Sequence, residues 1–241
     1  MKTSNYDLMR DQMEREFLNY DQEKMIRKYG LAHNGEYLYL TFAGRKCRIG
    51  RDSGRVEWTE DDFRHAVHAD YNISMTIFDV LCYAKDDCCL SGRFMPVNQL
   101  KGTVQSASPG KDMFGGTAKK FDGHTGQLAR ACELLGGQKE KVGDVSYRIP
   151  LFRWHPAGNA GIQGMICDDA VCQTAKYPAR GDDYASCQPD SLPVILQFWE
   201  SDEEFPPVLK LMWDENILSY MHFETTFFAA GHLLERLGDL M

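Results

Sequence analysis

Three thiols and four aspartates crowd into CDDAVCQTAKYPARGDDYASC, residues 167–187. Cys167 and Cys172 are separated by four residues, Cys187 follows after fourteen more, and eleven residues separate His155 from Cys167. Sulfur and imidazole nitrogen are the ligand types of a tetrahedral zinc site, so His155, Cys167, Cys172 and Cys187 form a candidate metal set with zinc as the ion. Ligation would also contribute folding free energy to a stretch with little apolar material of its own. Iron–sulfur runs space three cysteines by twos or fours, and here only the Cys167–Cys172 pair does so, which makes a cluster the poorer fit. Reduced bystander thiols and a redox device are the other readings of the same residues, and spacing alone leaves all three open.

A second constellation is acidic. In WESDEEFPP, Pro206 and Pro207 stiffen the exit from Asp202, Glu203 and Glu204, and Asp214 ends the strand that follows. Converging carboxylates bind a hard cation or move protons, so these four are candidate catalytic acids and bases. The plainer alternative is a solvated hairpin tip built from turn-forming residues.

Weaker signals surround these two. His65 and His68 would share a side if they lay on a helix. Cys88 and Cys89 sit beside Asp86 and Asp87, whose charge disfavours a thiolate, and Cys132 falls on an apolar helix face as a small core residue. The glycines of KDMFGGTAKK and GNAGIQG lack the strand–loop–helix order that a phosphate cradle needs.

The elements that must position these residues show in the hydrophobic periodicity. Ser4 with Asp7 marks a helix start, and Asp21 caps a second helix stopped by Gly30. EYLYLTF, KCRIG and Arg55–Trp58 alternate as short strands joined by AGR and RDSG, a small antiparallel meander. Ile73, Ile77, Val80 and Leu81 make a buried helical stripe, and GRFMPV offers a strand before a loop-rich run reaching Lys120. Thr125–Leu135 reads as a helix, followed by the strand DVSYRIPLF. After it, LPVILQFW and VLKLMWD form a pair of strands, and FETTFFAAGHLLERL closes as a helix with Gly238 as its stop. Strands and helices in irregular order, with hairpin-length turns, predict an α+β fold: a mixed, largely antiparallel sheet with helices packed on it. The 241 residues are expected to form one domain, interrupted at 153–192 by a long cysteine-bearing insertion without sustained period.

Composition narrows the function classes. From Asp182 onward twelve acidic residues face only Lys210 and Arg236, a balance of −10 against −8 for the whole chain. No basic stripe offers phosphate contacts, which argues against nucleic acid, whereas an acidic C-terminal face could dock a basic protein partner. The N-terminal stretch is charged from Lys2 onward and lacks the apolar centre of a secretory leader. No run approaches the roughly 18 apolar residues of a membrane span, so no membrane association is expected. The expected location is the cytoplasm, where the eight cysteines stay thiols or metal ligands.

PVILQFWESDEEFPPVLKLMWDENILSY with FAAGHLLERL resembles the domain of unknown function 3786 family, and YLTFAGRKCRI, FDVLCYA, LSGRFMPVNQLKG, ELLGG and GDVSYRIPLF extend the likeness through most of the chain. The resemblance is sharpest at Asp202–Pro207 and Asp214. It implies the cytoplasm of an anaerobic bacterium or archaeon, near metal-dependent redox or one-carbon pathways. The connection between IPLF and PVILQFW is longer than this family's usual link. The expectation is a cytoplasmic accessory or binding protein of anaerobic redox or one-carbon metabolism, holding a metal or a cofactor-bearing partner without turnover of its own. The alternative is an enzyme using the acidic strand-end residues for general acid/base chemistry.

Overall fold

A computed structural model describes residues 4–102, 114–154 and 189–241. Among these, six helices pack with one antiparallel sheet of ten strands, an α+β architecture. Helix α1 (Asn5–Phe17) begins with a reciprocal capping box between Ser4 and Asp7, and α2 (Gln22–Tyr29) is capped by Asp21 and ended by Gly30 in the left-handed region, φ +60°. The meander follows as β1 (Ala32–His33), β2 (Tyr37–Phe42), β3 (Arg45–Gly50), β4 (Val56–Thr59) and β5 (Val67–His68). Helix α3 (Tyr71–Phe78), started by the Asp70 carboxylate, continues through a π turn at Asp79–Tyr83. Next come β6 (Phe94–Pro96), α4 (Gly115–Phe121), α5 (Thr125–Leu134), β7 (Gln138–Lys139), β8 (Val145–Arg153), β9 (Ser191–Trp199), β10 (Val208–Asp214) and α6 (Phe223–Leu240).

The strands run in the order β5-β4-β3-β2-β8-β9-β10-β6, with β1 beside β2 and β7 beside β8. The N-terminal meander meets the C-terminal strands at a short seam, Thr41 opposite Arg153 and Phe42 opposite Phe152. Register builds the core. Val145, Tyr147 and Ile149 of β8 lie opposite Phe198, Leu196 and Val194 of β9, which in turn oppose Leu209, Leu211 and Trp213 of β10. Directly opposed residues point to the same side, so these nine buried side chains form one continuous apolar floor. Helices α4 and α5 lie on it. The Phe121 ring meets Phe198 edge-on at 6.4 Å, and the Tyr147 hydroxyl donates to Glu133 at 2.9 Å. Helix α6 packs beside α5 and α3 and stacks His232 on Phe42, ring centroids 5.1 Å apart.

Three local expectations need correction. His68 belongs to strand β5, and His65 lies in the preceding turn, so the two do not share a helix face. Their rings point to separate carboxylates, His68 to Glu14 of α1 and His65 to Asp61. The glycine pair of FGGTAKKF opens helix α4 instead of extending a loop, because Ala118 and Phe121 bury against the core. Gly238 does not stop α6, which continues to Leu240; a carboxy-terminal glycine ends a helix only where it turns left-handed.

Candidate functional site

Helix α6 supplies one wall of a cleft of about 770 Å³. Phe227, Gly231, Leu234 and Gly238 recur at spacings of four, three and four, so they fall on one helical face. Gly231 and Gly238 leave that face without side chains on two of its turns, and a methyl group added at either would meet no atom within 4 Å. The depression is therefore built into the sequence of α6. Phe227, Leu234 and Met241 give the wall its apolar part, while Glu235 and Asp239 supply carboxylates.

The facing wall comes from α4 and the start of α5. Phe114 and Phe121 contribute rings, and Thr117, Lys120, His124 and Gln127 contribute polar groups. The three-residue turn between the helices is pinned from outside. Asp122 accepts from the Ser201 amide at 2.9 Å and from its hydroxyl at 2.7 Å, and those two bonds hold its pKa below the usual carboxylate value. Gly123 takes φ +75°, where a side chain would be strained. His124 then precedes α5, with Nδ1 placed 2.7 Å from the Gln127 Oε1. A carbonyl oxygen only accepts, so the proton of a neutral ring sits on Nδ1 and the Nε2 lone pair remains available.

Opposite charges line the two walls without meeting. Among the described residues, the side chains of Lys120 and Glu235, both exposed, make no ion pair or hydrogen bond. Asp239 is committed outward to Arg45 at 3.4 Å, and Arg45 also holds Glu60 at 3.1 Å and lies over the Trp58 ring at 4.4 Å. Arg236 reaches the second Glu60 oxygen at 2.9 Å. Within this network burial, helped by the Arg45 charge, lowers the His232 pKa to about 4. The imidazole is thus neutral near pH 7, and its Nε2 accepts from Arg45 Nη1 at 3.4 Å.

The four carboxylates predicted to converge do not. Asp202, Glu203 and Glu204 are exposed in the β9–β10 connection, where Asp202 Oδ1 accepts from the amides of Glu204 at 2.8 Å and Phe205 at 2.7 Å to form the turn. Asp214 lies at the far end of β10, with the whole strand between it and the loop, on the order of 20 Å at ~3.3 Å per residue. A hairpin brings together the end of its first strand and the start of its second, so the last residue of the second strand is carried away from the turn. Asp214 is instead fully buried, accepting from the amides of Ser91 at 3.0 Å, Gly92 at 2.7 Å and Asn216 at 2.9 Å. It fastens the approach to β6 to the exit of β10.

His155, Cys167, Cys172 and Cys187 lie outside the described residues, as does the glycine run at 158–164. Among the described residues no cluster of three or more His, Cys, Asp or Glu side chains could hold a metal ion. Cys47, Cys82, Cys88 and Cys132 are thiols, and burial pushes the pKa of Cys47, Cys82 and Cys132 up to about 12, far from thiolate reactivity, whereas Cys89 is disulfide-bonded, against the expectation that every cysteine stays a thiol or metal ligand. No helix among the described residues is long and apolar enough to cross a membrane.

The cleft was missed in the sequence because its walls read as something else. Phe114, Ala118 and Phe121 carry a helical spacing of four and three that the Gly115–Gly116 pair disguised. On α6 the signal was the alternation of glycine with Phe227 and Leu234 along one face.

No curated protein and no solved structure matches the chain. A family model does, over residues 21–154 and 190–236, so the matched parts contain the meander, α4, α5, the β8–β10 strands and most of α6, and are interrupted where the cysteine-bearing stretch lies. The chain belongs to the family described as a domain of unknown function, DUF3786.

Proposed function

We propose that the protein is a binding or accessory protein that holds a small molecule in the cleft between α4, α5 and α6 and does not itself turn it over. The observation that carries this reading is the cleft's construction: two glycines leave a depression on a helix face, with unpaired charges on the facing walls. Its volume of about 770 Å³ suits a metabolite or cofactor fragment. The candidate acids and bases Asp202, Glu203, Glu204 and Asp214 are exposed loop residues or a buried staple, which favours binding over acid/base turnover. Serving redox or one-carbon chemistry in the cytoplasm of an anaerobe is the context that the family likeness suggests.

Native mass spectrometry of anaerobically purified protein tests the reading. A non-covalent adduct is expected on the wild type and absent from a Gly231→Leu/Gly238→Leu double variant, in which two side chains fill the depression. Loss of the reading follows if no adduct is present and a metabolite library raises the melting temperature of neither protein.

Two further roles belong to the same proposal and have their own tests. Zinc bound by His155, Cys167, Cys172 and Cys187 predicts one equivalent of metal by elemental analysis, lost on replacing Cys167 and Cys172 with Ser; less than a tenth of an equivalent would remove it. A basic protein partner on the acidic C-terminal part is supported by the exposed run Glu200–Glu204, and its binding should weaken with salt and with Glu203→Gln/Glu204→Gln. Nucleic acid is not expected to compete.

A further inference from the structure

Resting on the binding reading above, we infer that the cleft takes a zwitterion: a small molecule with an anionic group at one end, a cationic group at the other and an aromatic or apolar body between them. The argument begins with the unspent polar groups. On the α4/α5 wall, Lys120 carries a positive charge with no counter-ion among the described residues, and Thr117, on the same wall, has no hydrogen-bond partner there either. His124, whose Nδ1 is engaged by Gln127, keeps Nε2 for a donor or, when protonated, for an anion. On the α6 wall, Glu235 has no partner, and Asp239, one helical turn further on, is already held by Arg45. Lys120 and Glu235, both exposed to solvent, thus stand on the two walls more than an ion-pair distance apart, and a bound molecule of matching polarity would bridge them.

The body of the ligand follows from what separates those charges. Phe114 and Phe227, both half-buried, and the buried Phe121 and Leu234 line the cleft beside the depression left by Gly231 and Gly238. Rings and aliphatic side chains reward the burial of flat apolar surface, and a hydrated inorganic ion would leave that surface wet. A purely anionic ligand gains a charge partner only at Lys120, and a purely cationic one only at Glu235. Only a molecule carrying both charges answers both walls.

The probe is the dipeptide phenylalanyl-phenylalanine, compared with its N-acetylated form, which keeps only the anion, and its C-terminal amide, which keeps only the cation. Isothermal titration on the full chain is expected to give a Kd about tenfold lower for the zwitterion than for either half-charged form, in line with charge-assisted contacts at a partly exposed site. Lys120→Ala should remove the preference for the zwitterion over the amide, and Glu235→Gln its preference over the acetylated form. Gly231→Leu/Gly238→Leu should abolish binding of all three while the protein melts no lower than the wild type, since neither added side chain meets an atom at its Cβ. Equal affinities for the three forms, all lost in the leucine variant, would overturn the ligand class and leave the binding site standing. Binding unchanged in the leucine variant, or no binding of any form, overturns the inference, and the first of these also removes the cleft as the site.

Discussion

The β9–β10 hairpin and the cleft face of α6 each present acidic side chains, but the groups differ in what they are bonded to. Asp214 accepts three backbone amides in full burial, and Asp202 accepts two at the loop tip, so both carboxylates are consumed in shaping the chain. Glu235 of α6 faces a cleft with no partner among the described residues, opposite an equally unpaired Lys120. A carboxylate whose lone pairs are filled by local amides has little capacity left for a ligand. The hairpin carboxylates do structural work, while Lys120 and Glu235 sit unpaired on helices of ordinary appearance.

The largest effect that could break this contrast is at Asp214. Replacing it with Ala would strip the amides of Ser91, Gly92 and Asn216 of their acceptor inside the protein, and the expected cost is about 4 kcal/mol in urea unfolding. A loss under 1 kcal/mol would mean that the staple reading is wrong and that Asp214 is free for another role.

His232 comes next, through pH. Its pKa is lowered by burial and by Arg45, from the ordinary 6.5 to about 4, with Arg236 pushing the same way and Asp70 and Asp239 opposing. As pH falls below 6.5 the unfolded chain binds the proton first, so the contribution of the neutral ring is whole above 6.5 and lost on the way down to about 4. The corresponding change in stability is up to about 3 kcal/mol. His232→Gln, which keeps an acceptor for Arg45 and does not titrate in this range, should flatten the wild-type slope between those pH values. An unchanged slope would mean that His232 is not the titrating group, since the lowered carboxylates Asp7, Asp86 and Asp122 lose their contribution only as pH falls below their ordinary 3.8.

Strands and caps were legible in the sequence because each carries its signal locally. Ser4 with Asp7, Asp21 with Gly30, and the alternation of Val145, Tyr147 and Ile149 need only neighbours along the chain to be read. What was not legible depended on distance in space. The separation of Asp214 from Asp202 follows from hairpin geometry, and the pairing of His68 with Glu14 joins residues 54 apart in the chain. The cleft joins α4 and α5 to α6, and no window of sequence holds both walls.

Two smaller effects sharpen the comparison from its two sides. Gly231→Leu should stabilise α6 by about 1 kcal/mol, because glycine is a poor helix former and the new side chain enters open space; a gain in melting temperature together with loss of ligand would set the cleft apart from the hairpin as a place kept empty at the expense of stability. At the hairpin tip, Glu203→Gln and Glu204→Gln should each stay within about 0.5 kcal/mol of the wild type, since both side chains are exposed. Asp202→Ala, which removes the acceptor for the Glu204 and Phe205 amides, should cost about 1 kcal/mol, and Asp202→Asn, which keeps a carbonyl oxygen for the same turn, should restore most of it. If the asparagine variant were as unstable as the alanine one, charge and not hydrogen bonding would be what the loop requires, and the acidic tip would regain a claim to a cation that its turn geometry does not give it.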